Sequence, residues 1–464
     1  MIKIGYLLTL VIVKLKFKIN MIKLANQSLC PVETNQISSF KLEEYFQNTW
    51  DLTELLFSSI KDNESYYFNP DSRRYPLIFY YGHVAAFYVN KLKAAGLYSE
   101  SINPHFENLF AVGVDPSTKD DLEKHGWPNY QEVVSFRAEV KKIVVSIIQS
   151  EYLPKSINWD SPYWSLLMAI EHERIHFETT SVLIRQYAVE LVQKPKGWIY
   201  KIENEFKPEV EFINIESGYV QLGRPSNSAM YGWDNEYGTK EVHVKSFAVT
   251  KNMVTNAEFL EFIESGGYKT RDFWSEAGWN WIKKQNLFLP KFWLFRDDKY
   301  YLRAMFDEIE MPWNWPVEVI AHEAEAFCHW KGKEYRLLFE CEWKLLTDRY
   351  FKNELLDFDN YGKFNTNFSF GSPSPVGYFS SNSDLPNDLL GNVWEILSDD
   401  FYPLDGFIVH PYYKDFSVPF FDSDHGMMAG GSWASTGNSA SRYYRLWFRR
   451  DFIQHAGFRL VKTF

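Results

Sequence analysis

Two histidines within one stretch of the sequence have the spacing of metal ligands. His172 and His176 lie four residues apart in LLMAIEHERIHFETTSVLIRQ, which covers residues 166–186. This stretch contains neither proline nor glycine, and its apolar residues recur at helical spacing, so it is predicted to form one amphipathic helix. Residues four apart on a helix project from the same face. The two imidazoles are therefore placed to bind one metal ion.

Two interpretations of this pair need no third histidine. An H-x-x-x-H pair is common by chance, and both histidines fit an ordinary structural role. HERIH also matches H-E-x-x-H, the motif of zinc-dependent hydrolases, in which Glu173 is the general base. The extended metzincin form of that motif is missing, because Thr179 and Val182 occupy the positions of its glycine and its third histidine.

A third interpretation adds His83, which lies in another apolar stretch, as a third ligand. Three neutral imidazoles leave coordination positions open and contribute no negative charge. Such a set suits Zn(II) with water, or Fe(II) that receives an anionic ligand such as a substrate thiolate. In this arrangement Glu178 is predicted to accept a hydrogen bond from a ligand imidazole.

The elements that must position these histidines are predicted to be helices. Residues 39–59, a segment that starts near residue 76, residues 130–151 and residues 166–186 all have helical periodicity. Four such helices, the second and fourth carrying inward histidines, predict an up-and-down bundle with the site between facing helices. After a polar linker at 194–211, short alternating runs indicate strands. Further helices are predicted at 256–264 and 317–331.

Composition narrows the classes of function. The chain has 464 residues, 45% of them hydrophobic and 18% aromatic, which is enough for two or three domains with their own cores. A net charge of −11 argues against nucleic-acid binding. Three scattered cysteines indicate a reducing compartment. The apolar run at 5–13 is too short to span a membrane and lacks a signal-peptide cleavage site, so we expect a soluble, cytoplasmic protein with no membrane partner.

Several longer motifs resemble known families. The H-x-x-x-H-x-E helix resembles that of DinB-like bundles. LGNVWEILSDDFYP, GGSWAS, RLWFRR and HAGFRLV in the second half resemble the formylglycine-generating-enzyme domain, also called sulfatase-modifying factor, which is C-type-lectin-like. EYRLLFECEWKLL departs from that family by lacking its Pro-Thr pair. The resemblance implies an α+β fold, with an N-terminal extension at 1–37 that is disordered or precedes the true start, a DinB-like four-helix bundle at 38–200 and the second domain at 205–464.

Together the two domains resemble the non-haem iron sulfoxide synthases. The blocks at 75–92, 102–123 and 170–186 are most similar to the ovothiol branch, the 5-histidylcysteine sulfoxide synthases. The resemblance implies an Fe(II) enzyme that uses O2 to join cysteine to histidine at imidazole C5, with His83, His172 and His176 as iron ligands. A separate methyltransferase would then act downstream. The alternatives are an ergothioneine-type enzyme acting on trimethylhistidine at C2, a zinc hydrolase, and a non-catalytic binding protein.

Other site residues are predicted in the second half. Tyr402 follows the GNVWE block at the distance that the resemblance implies for the catalytic tyrosine. A phenol near the iron is expected to deliver a proton or hydrogen atom. Both substrates are amino acids, so their carboxylates need partners, for which an arginine fork is suited. We predict substrate contacts from Arg445, Arg442, Asn438 and Trp433.

Overall fold

Four long helices pack together in the first part of the chain. The computed structural model describes residues 29–113, 126–203, 209–351, 364–379 and 384–463. The helices of this part are α1 (Ser39–Phe57), α2 (Leu77–Ala94), the short α3 (Pro104–Leu109), α4 (Tyr130–Ile148) and α5 (Trp164–Arg185). Both α1 and α2 pack against both α4 and α5, which closes a four-helix bundle. The four predicted helices are thus confirmed, and the assignment of the bundle to the DinB type stays a prediction.

Helix α5 is buried on nearly every side. Of its 22 residues, all but Ile175 and Thr179 are buried, although the helix carries several charged side chains. One face packs against α1 and α2, and the opposite face packs against the second half of the chain. Buried charges are costly unless they are paired. The helix therefore needs specific polar partners in both halves.

Those partners are present in both halves. The Tyr45 hydroxyl of α1 donates to Glu171 at 2.7 Å, and the backbone N–H of Asn438 donates to the same carboxylate at 2.8 Å. At the end of the helix, Arg185 Nη1 donates to Glu318 at 2.6 Å. Helix α5 is therefore both a bundle element and the element that joins the two halves.

The second half is built from short strands in several small sheets. The strands are β1 (Phe212–Ile215), β2 (Gly218–Leu222), β3 (Lys240–Val244), β4 (Phe247–Thr250), β5 (Trp293–Arg296), β6 (Lys299–Arg303), β7 (Glu308–Glu310), β8 (Tyr335–Arg336), β9 (Trp394–Asp400), β10 (His425–Ala429), β11 (Leu446–Arg449), β12 (Ala456–Gly457) and β13 (Val461–Lys462). The helices are α6 (Asn256–Glu264), α7 (Glu276–Gln285), α8 (Ala321–Lys331) and α9 (Glu340–Tyr350). The fold is therefore a mixture of helix and sheet.

Two four-stranded sheets organise this half. Their strand orders are β1-β4-β13-β8 and β11-β10-β9-β12, and β2-β3 and β5-β6-β7 form smaller antiparallel sheets. Strand β13 pairs with β4 with Val461 opposite Val249, so the end of the described chain lies beside the beginning of this half. Strand β12 runs parallel to β9. These pairings are distant in sequence, which explains why short local runs did not predict them.

The glycine-rich motifs form close backbone crossings beside β9 and β10. The N–H of Gly391 donates to the carbonyl of Gly430 at 2.8 Å, which joins the LGN and GGSW motifs. Gly391 has φ +76°, and a Cβ at this position would lie 2.4 Å from the carbonyl oxygen of Asn365. A side chain at this position is therefore excluded both by the backbone conformation and by the close approach of another chain segment.

Gly391→Ala is expected to lower the free energy of unfolding by at least about 3 kcal/mol, because it adds steric overlap to the strain of a positive φ. Gly96→Ala is the matched control. Gly96 has φ +73°, but no described atom lies within 4 Å of the position that a Cβ would occupy, so its substitution is expected to cost only about 1 kcal/mol. Urea unfolding of both variants measures the difference, and equal costs would contradict the steric explanation.

Part of the predicted N-terminal extension makes ordered contacts. The N–H of Thr34 donates to the carbonyl of Ala229 at 2.7 Å, and the N–H of Ile157 donates to the carbonyl of Thr34 at 2.7 Å. Residues 1–28 lie outside the described residues. Among the described helices, none is long and apolar enough to cross a membrane.

Candidate metal centre

Three buried histidines meet between α2 and α5. His83 lies in the middle of α2, and His172 and His176 lie one turn apart on α5. One ring nitrogen of each lies within 4.8 Å of the others. His172 Nε2 and His176 Nε2 are 3.3 Å apart. The structure therefore brings together the three residues that the sequence predicts as metal ligands.

The surroundings fix the orientation of two of these rings. His83 Nδ1 lies 2.7 Å from the carbonyl oxygen of Phe110, so this nitrogen carries the proton and donates. His83 Nε2 is buried and has no hydrogen-bond partner among the described residues. The ring of Phe87 stacks on that of His172 with centroids 3.5 Å apart and planes 5° apart. Such contacts hold imidazole rings in place before a metal binds.

Burial keeps all three imidazoles neutral. It lowers the pKa of His83 to about 4. It also lowers the pKa values of His172 and His176 well below their usual range, and the neighbouring imidazoles lower them further. Only a neutral imidazole has a lone pair free for a metal. The cluster is therefore in its ligating form at neutral pH.

The geometry fits a divalent transition metal. Two nitrogens about 2.1 Å from one ion, with bond angles of roughly 90–109°, lie about 3.0–3.4 Å apart. The 3.3 Å separation of His172 Nε2 and His176 Nε2 lies in this interval. The buried Nε2 of His83 supplies a third donor. The three residues fit a metal ion that keeps open coordination positions.

The carboxylates of α5 do not face this cluster. Glu173 accepts hydrogen bonds from Thr53 and Tyr88 at 2.7 and 2.8 Å, so the general base that a zinc hydrolase needs is engaged elsewhere. Glu178 accepts hydrogen bonds from Ser432 and Ser435. The prediction that Glu178 accepts a hydrogen bond from a ligand imidazole is therefore wrong. The physical reason is that residues two apart on a helix project from different faces.

A tyrosine ring approaches the histidines from each half of the protein. Tyr80 of α2 has its ring centroid 6.0 Å from that of His176. Tyr413 is the tyrosine that approaches from the second half. Its ring centroid is 6.0 Å from that of His172 and 5.0 Å from that of Phe87. The ammonium of Lys91 lies 4.1 Å from the centroid of the Tyr413 ring and donates to the carbonyl of Tyr412 at 2.7 Å. Burial raises the pKa of Tyr413, so its phenol keeps its proton. Tyr413 was not predicted from the sequence, because HPYYKDF carries no local pattern that distinguishes this residue from other tyrosines.

The predicted arginines line a different cavity, and Tyr402 is bound to Glu340 in the wall of that cavity. The Tyr402 hydroxyl donates to Glu340 at 2.6 Å, and Arg445 Nε donates to the same carboxylate at 2.6 Å. Arg442 and Arg445 line this cavity together with Trp343. Arg442 also donates to the carbonyl of Phe351. Among the described contacts, none joins these residues to the three histidines.

Asn438 and Trp433 lie behind α5. The Asn438 side chain accepts from Arg224 at 2.8 Å and donates to Glu236 at 2.6 Å, so it belongs to a buried polar network. The ring of Trp433 packs 4.7 Å from that of His455. These side-chain contacts lie within the second half, and among the described residues neither side chain contacts the rings of His83, His172 or His176. Their role as substrate contacts stays a prediction.

Sequence relatives of this chain include hercynine oxygenases and an ergothioneine biosynthesis protein. Hercynine oxygenase of Mycolicibacterium thermoresistibile is 32% identical over 247 residues, which cover 50% of this chain and 54% of that protein. Hercynine oxygenase of Mycolicibacterium smegmatis is 28% identical over 319 residues, covering 62% and 69%. Ergothioneine biosynthesis protein 1 of Schizosaccharomyces pombe is 23% identical over 437 residues, covering 84% and 52%. The chain thus spans about half the length of two of these relatives.

The second half of the chain matches a protein-family domain over its whole length. The sulfatase-modifying factor enzyme 1-like domain matches residues 201–464, which is more than half of the chain. The match includes the strands and glycine crossings described above, as well as Tyr413. The chain belongs to the family of proteins that carry the sulfatase-modifying factor enzyme 1-like domain, and it is homologous to hercynine oxygenases.

Proposed function

We propose that this protein is an Fe(II)-dependent sulfoxide synthase that uses O2 to join the sulfur of cysteine to an imidazole carbon of a histidine-type substrate. The observation that carries the proposal is the cluster of three buried, neutral histidines with a protonated tyrosine beside it. Its occurrence in a chain homologous to hercynine oxygenases supports an oxygenase over a hydrolase.

The relatives favour a particular imidazole substrate. Their names point to hercynine, the trimethylated form of histidine, and to ergothioneine biosynthesis. This supports the ergothioneine-type alternative, with attack at C2, over the ovothiol-type interpretation of free histidine and C5. Hercynine is therefore our first candidate for the imidazole substrate. Free histidine is the second candidate, and it rests on the similarity of the sequence blocks in α2 and α5 to the ovothiol branch.

The proposed reaction balances without a further reductant. A thiol, an imidazole C–H group and O2 give a sulfoxide-bridged product and one water. One oxygen atom ends on sulfur and the other in water. Formation of the C–S bond supplies two electrons and oxidation of the sulfur supplies two, which together reduce O2 fully.

The residues of the chain have distinct roles in this reaction. His83, His172 and His176 would hold Fe(II), which when bound supplies Lewis acidity toward a thiol and the redox chemistry of O2. Phe87 covers His172 and keeps water from that side of the ring. The Tyr413 hydroxyl holds a proton close to the reacting groups, where it can serve as an acid. Lys91 holds the loop that carries Tyr413 against α2.

The test is reconstitution with Fe(II) without O2, followed by cysteine, hercynine or histidine, and then O2. Mass spectrometry identifies the coupled sulfoxide, and NMR of the imidazole protons assigns the carbon attacked. A C2-linked product from hercynine supports the ergothioneine type, and a C5-linked product from histidine supports the ovothiol type. The absence of O2 uptake with both substrates would refute the proposal.

Tyr413→Phe is expected to lower sulfoxide formation by about 100-fold, because a positioned proton donor typically contributes at least this factor. O2 consumption should continue with cysteine sulfinate as the main product, since thiol oxygenation does not need the phenol. Quantitative mass spectrometry of sulfoxide and sulfinate measures the partition.

Tyr402→Phe is the matched variant, because it removes the same hydroxyl from the residue that the sequence analysis favoured. Its hydroxyl contacts Glu340, so the product ratio should stay within about twofold of the wild type. A shift toward sulfinate in Tyr402→Phe alone would restore Tyr402 as the catalytic tyrosine.

A further inference from the structure

A narrow cavity lies between the beginning of α5 and two loops of the second half. We call it the aromatic chamber, and its lining residues are Trp164, Met168, Tyr231, Gly232, Trp233, Asp234, His410, Tyr413 and Phe416. Its walls are mostly aromatic rings. The centroids of Trp233 and Phe416 are 4.1 Å apart, and those of Trp164 and Tyr231 are 4.8 Å apart. The space between the walls is too small for a water molecule in this structure.

Four buried polar atoms of this lining have no hydrogen-bond partner within the described part of the chain. They are Trp164 Nε1, Tyr231 Oη, Trp233 Nε1 and Asp234 Oδ2. Leaving one such group unpaired costs about 1–3 kcal/mol, and native proteins keep these groups few. Together these atoms offer three donors and one acceptor to a polar ligand that reaches this space.

The aromatic chamber adjoins the metal centre. Met168 lies four residues before His172 on α5, so both side chains lie on the same face of the helix, one turn apart. On the other side, Tyr413 lies between the chamber and the histidines, with its ring 6.4 Å from that of Trp233 and 6.0 Å from that of His172. A small molecule with its imidazole at the metal therefore has its other end within reach of the chamber.

The charge of the chamber is negative. Asp234 is 2% exposed, and its Oδ1 accepts a hydrogen bond from the Ser417 hydroxyl. Arg224 is bound to Glu236 and Asn438, so it does not neutralise Asp234. Burial raises the pKa of Asp234 to about 6, although hydrogen bonds from the Ser417 hydroxyl and from the backbone of Asn235 and His410 act in the opposite direction.

We propose that the aromatic chamber binds the α-ammonium group of the imidazole substrate, with Asp234 as its counter-ion. A carboxylate among aromatic faces is the arrangement that selects ammonium groups, including quaternary ones. The two indole N–H groups and the Tyr231 hydroxyl are donors suited to the carboxylate of the same amino acid. Because most of the lining lies on loops 231–234 and 410–416, the ligand enters by displacing the side chains of these loops. This inference rests on the proposed function, since it assumes an imidazole amino acid at the histidines.

The test is isothermal titration of the Fe(II)-loaded protein without O2, so that binding is measured and no turnover occurs. The two probes are hercynine and imidazole-4-propionate, which lacks the ammonium group. Asp234→Asn is expected to raise the Kd for hercynine by at least about tenfold and to leave that for imidazole-4-propionate within about twofold. Glu258→Gln is the control, because Glu258 is another buried carboxylate and caps α6. It should change the Kd of neither probe.

Tyr231→Leu is a second variant that removes an aromatic wall and keeps the charge. It should also weaken the binding of hercynine and leave that of imidazole-4-propionate unchanged. The test therefore stays valid if Asp234→Asn does not fold. An unchanged hercynine Kd, or equal losses for both probes, would overturn the proposal. If the variant loses affinity for hercynine selectively and the wild type makes no sulfoxide, the ammonium site in the chamber is supported and the proposed function is refuted. If the wild type makes sulfoxide and the variant binds hercynine with the wild-type Kd, only the assignment of the chamber as the ammonium site is refuted.

Discussion

His176→Ala is expected to lower Fe(II) affinity and sulfoxide formation by more than about 100-fold. Loss of a residue that merely orients a metal ligand typically costs about 10–100-fold, and this variant removes a ligand. His172 and His83 would remain as a pair, whose nitrogens lie within 4.8 Å. Two neutral imidazoles are too few to hold Fe(II) against water. Iron content after gel filtration and O2 uptake with cysteine and the imidazole substrate measure both losses.

His329→Ala is the matched control for this prediction. His329 lies at the exposed end of α8, and its Nδ1 lies 2.8 Å from the carbonyl oxygen of Phe273. Its removal should leave iron content and O2 uptake unchanged. Full iron content in His176→Ala would contradict the three-histidine site, whereas equal losses in both variants would indicate a general effect on folding.

Arg185→Met is expected to lower the free energy of unfolding by about 3–5 kcal/mol, because removing one partner of a buried ion pair leaves a charge without compensation. The Arg185 guanidinium donates to both oxygens of Glu318 at 2.6 and 2.7 Å, and both side chains are at most 3% exposed. Glu318 also faces His455, whose Nδ1 lies 3.1 Å away. The substitution therefore disturbs a network that joins α5 to the second half, as urea unfolding would measure.

Lys142→Met removes one partner of an exposed pair and is the matched control. Lys142 and Glu139 form an ion pair at 2.7 Å, with both side chains more than half exposed. Water screens such a pair, so the expected loss is below about 1 kcal/mol. Similar losses in the two variants would mean that burial does not strengthen the Arg185 pair. The metal centre lies more than two turns from Arg185, so iron binding by the folded variant should be normal.

The metal ligands could be predicted because helix geometry is local. The spacing of His172 and His176 places both side chains on one face whatever surrounds the helix. His83 was harder to assign, since it lies in a different helix; the residues alone left it as one of three interpretations, and the family resemblance then favoured it. The structure confirms that the three rings meet. The residues around them were less predictable, because Glu178 is only two positions from His176 and yet faces the other half of the protein.

The choice between Tyr402 and Tyr413 shows the limit of prediction from sequence. Tyr402 and Tyr413 lie eleven residues apart, between β9 and β10. The path of that loop places Tyr402 against Glu340 and Tyr413 against His172. Loops follow turns and distant contacts instead of a periodic pattern, so neither position is marked in the sequence. The arginines are similar, since Arg445 could be identified as a candidate but its pairing with Glu340 depends on α9.

The sequence by itself determined the four long helices, the change to short strands after the linker, and the pair of histidines on one helix face. All of these follow from local periodicity and spacing. Only the tertiary structure decided that Tyr413 lies beside the histidines, that α5 is buried between both halves, and that four buried polar atoms without described partners share the aromatic chamber. These features arise where segments far apart in sequence, such as 164–185, 231–234 and 410–416, are packed together. Their energies depend on burial and pairing, which no local pattern records.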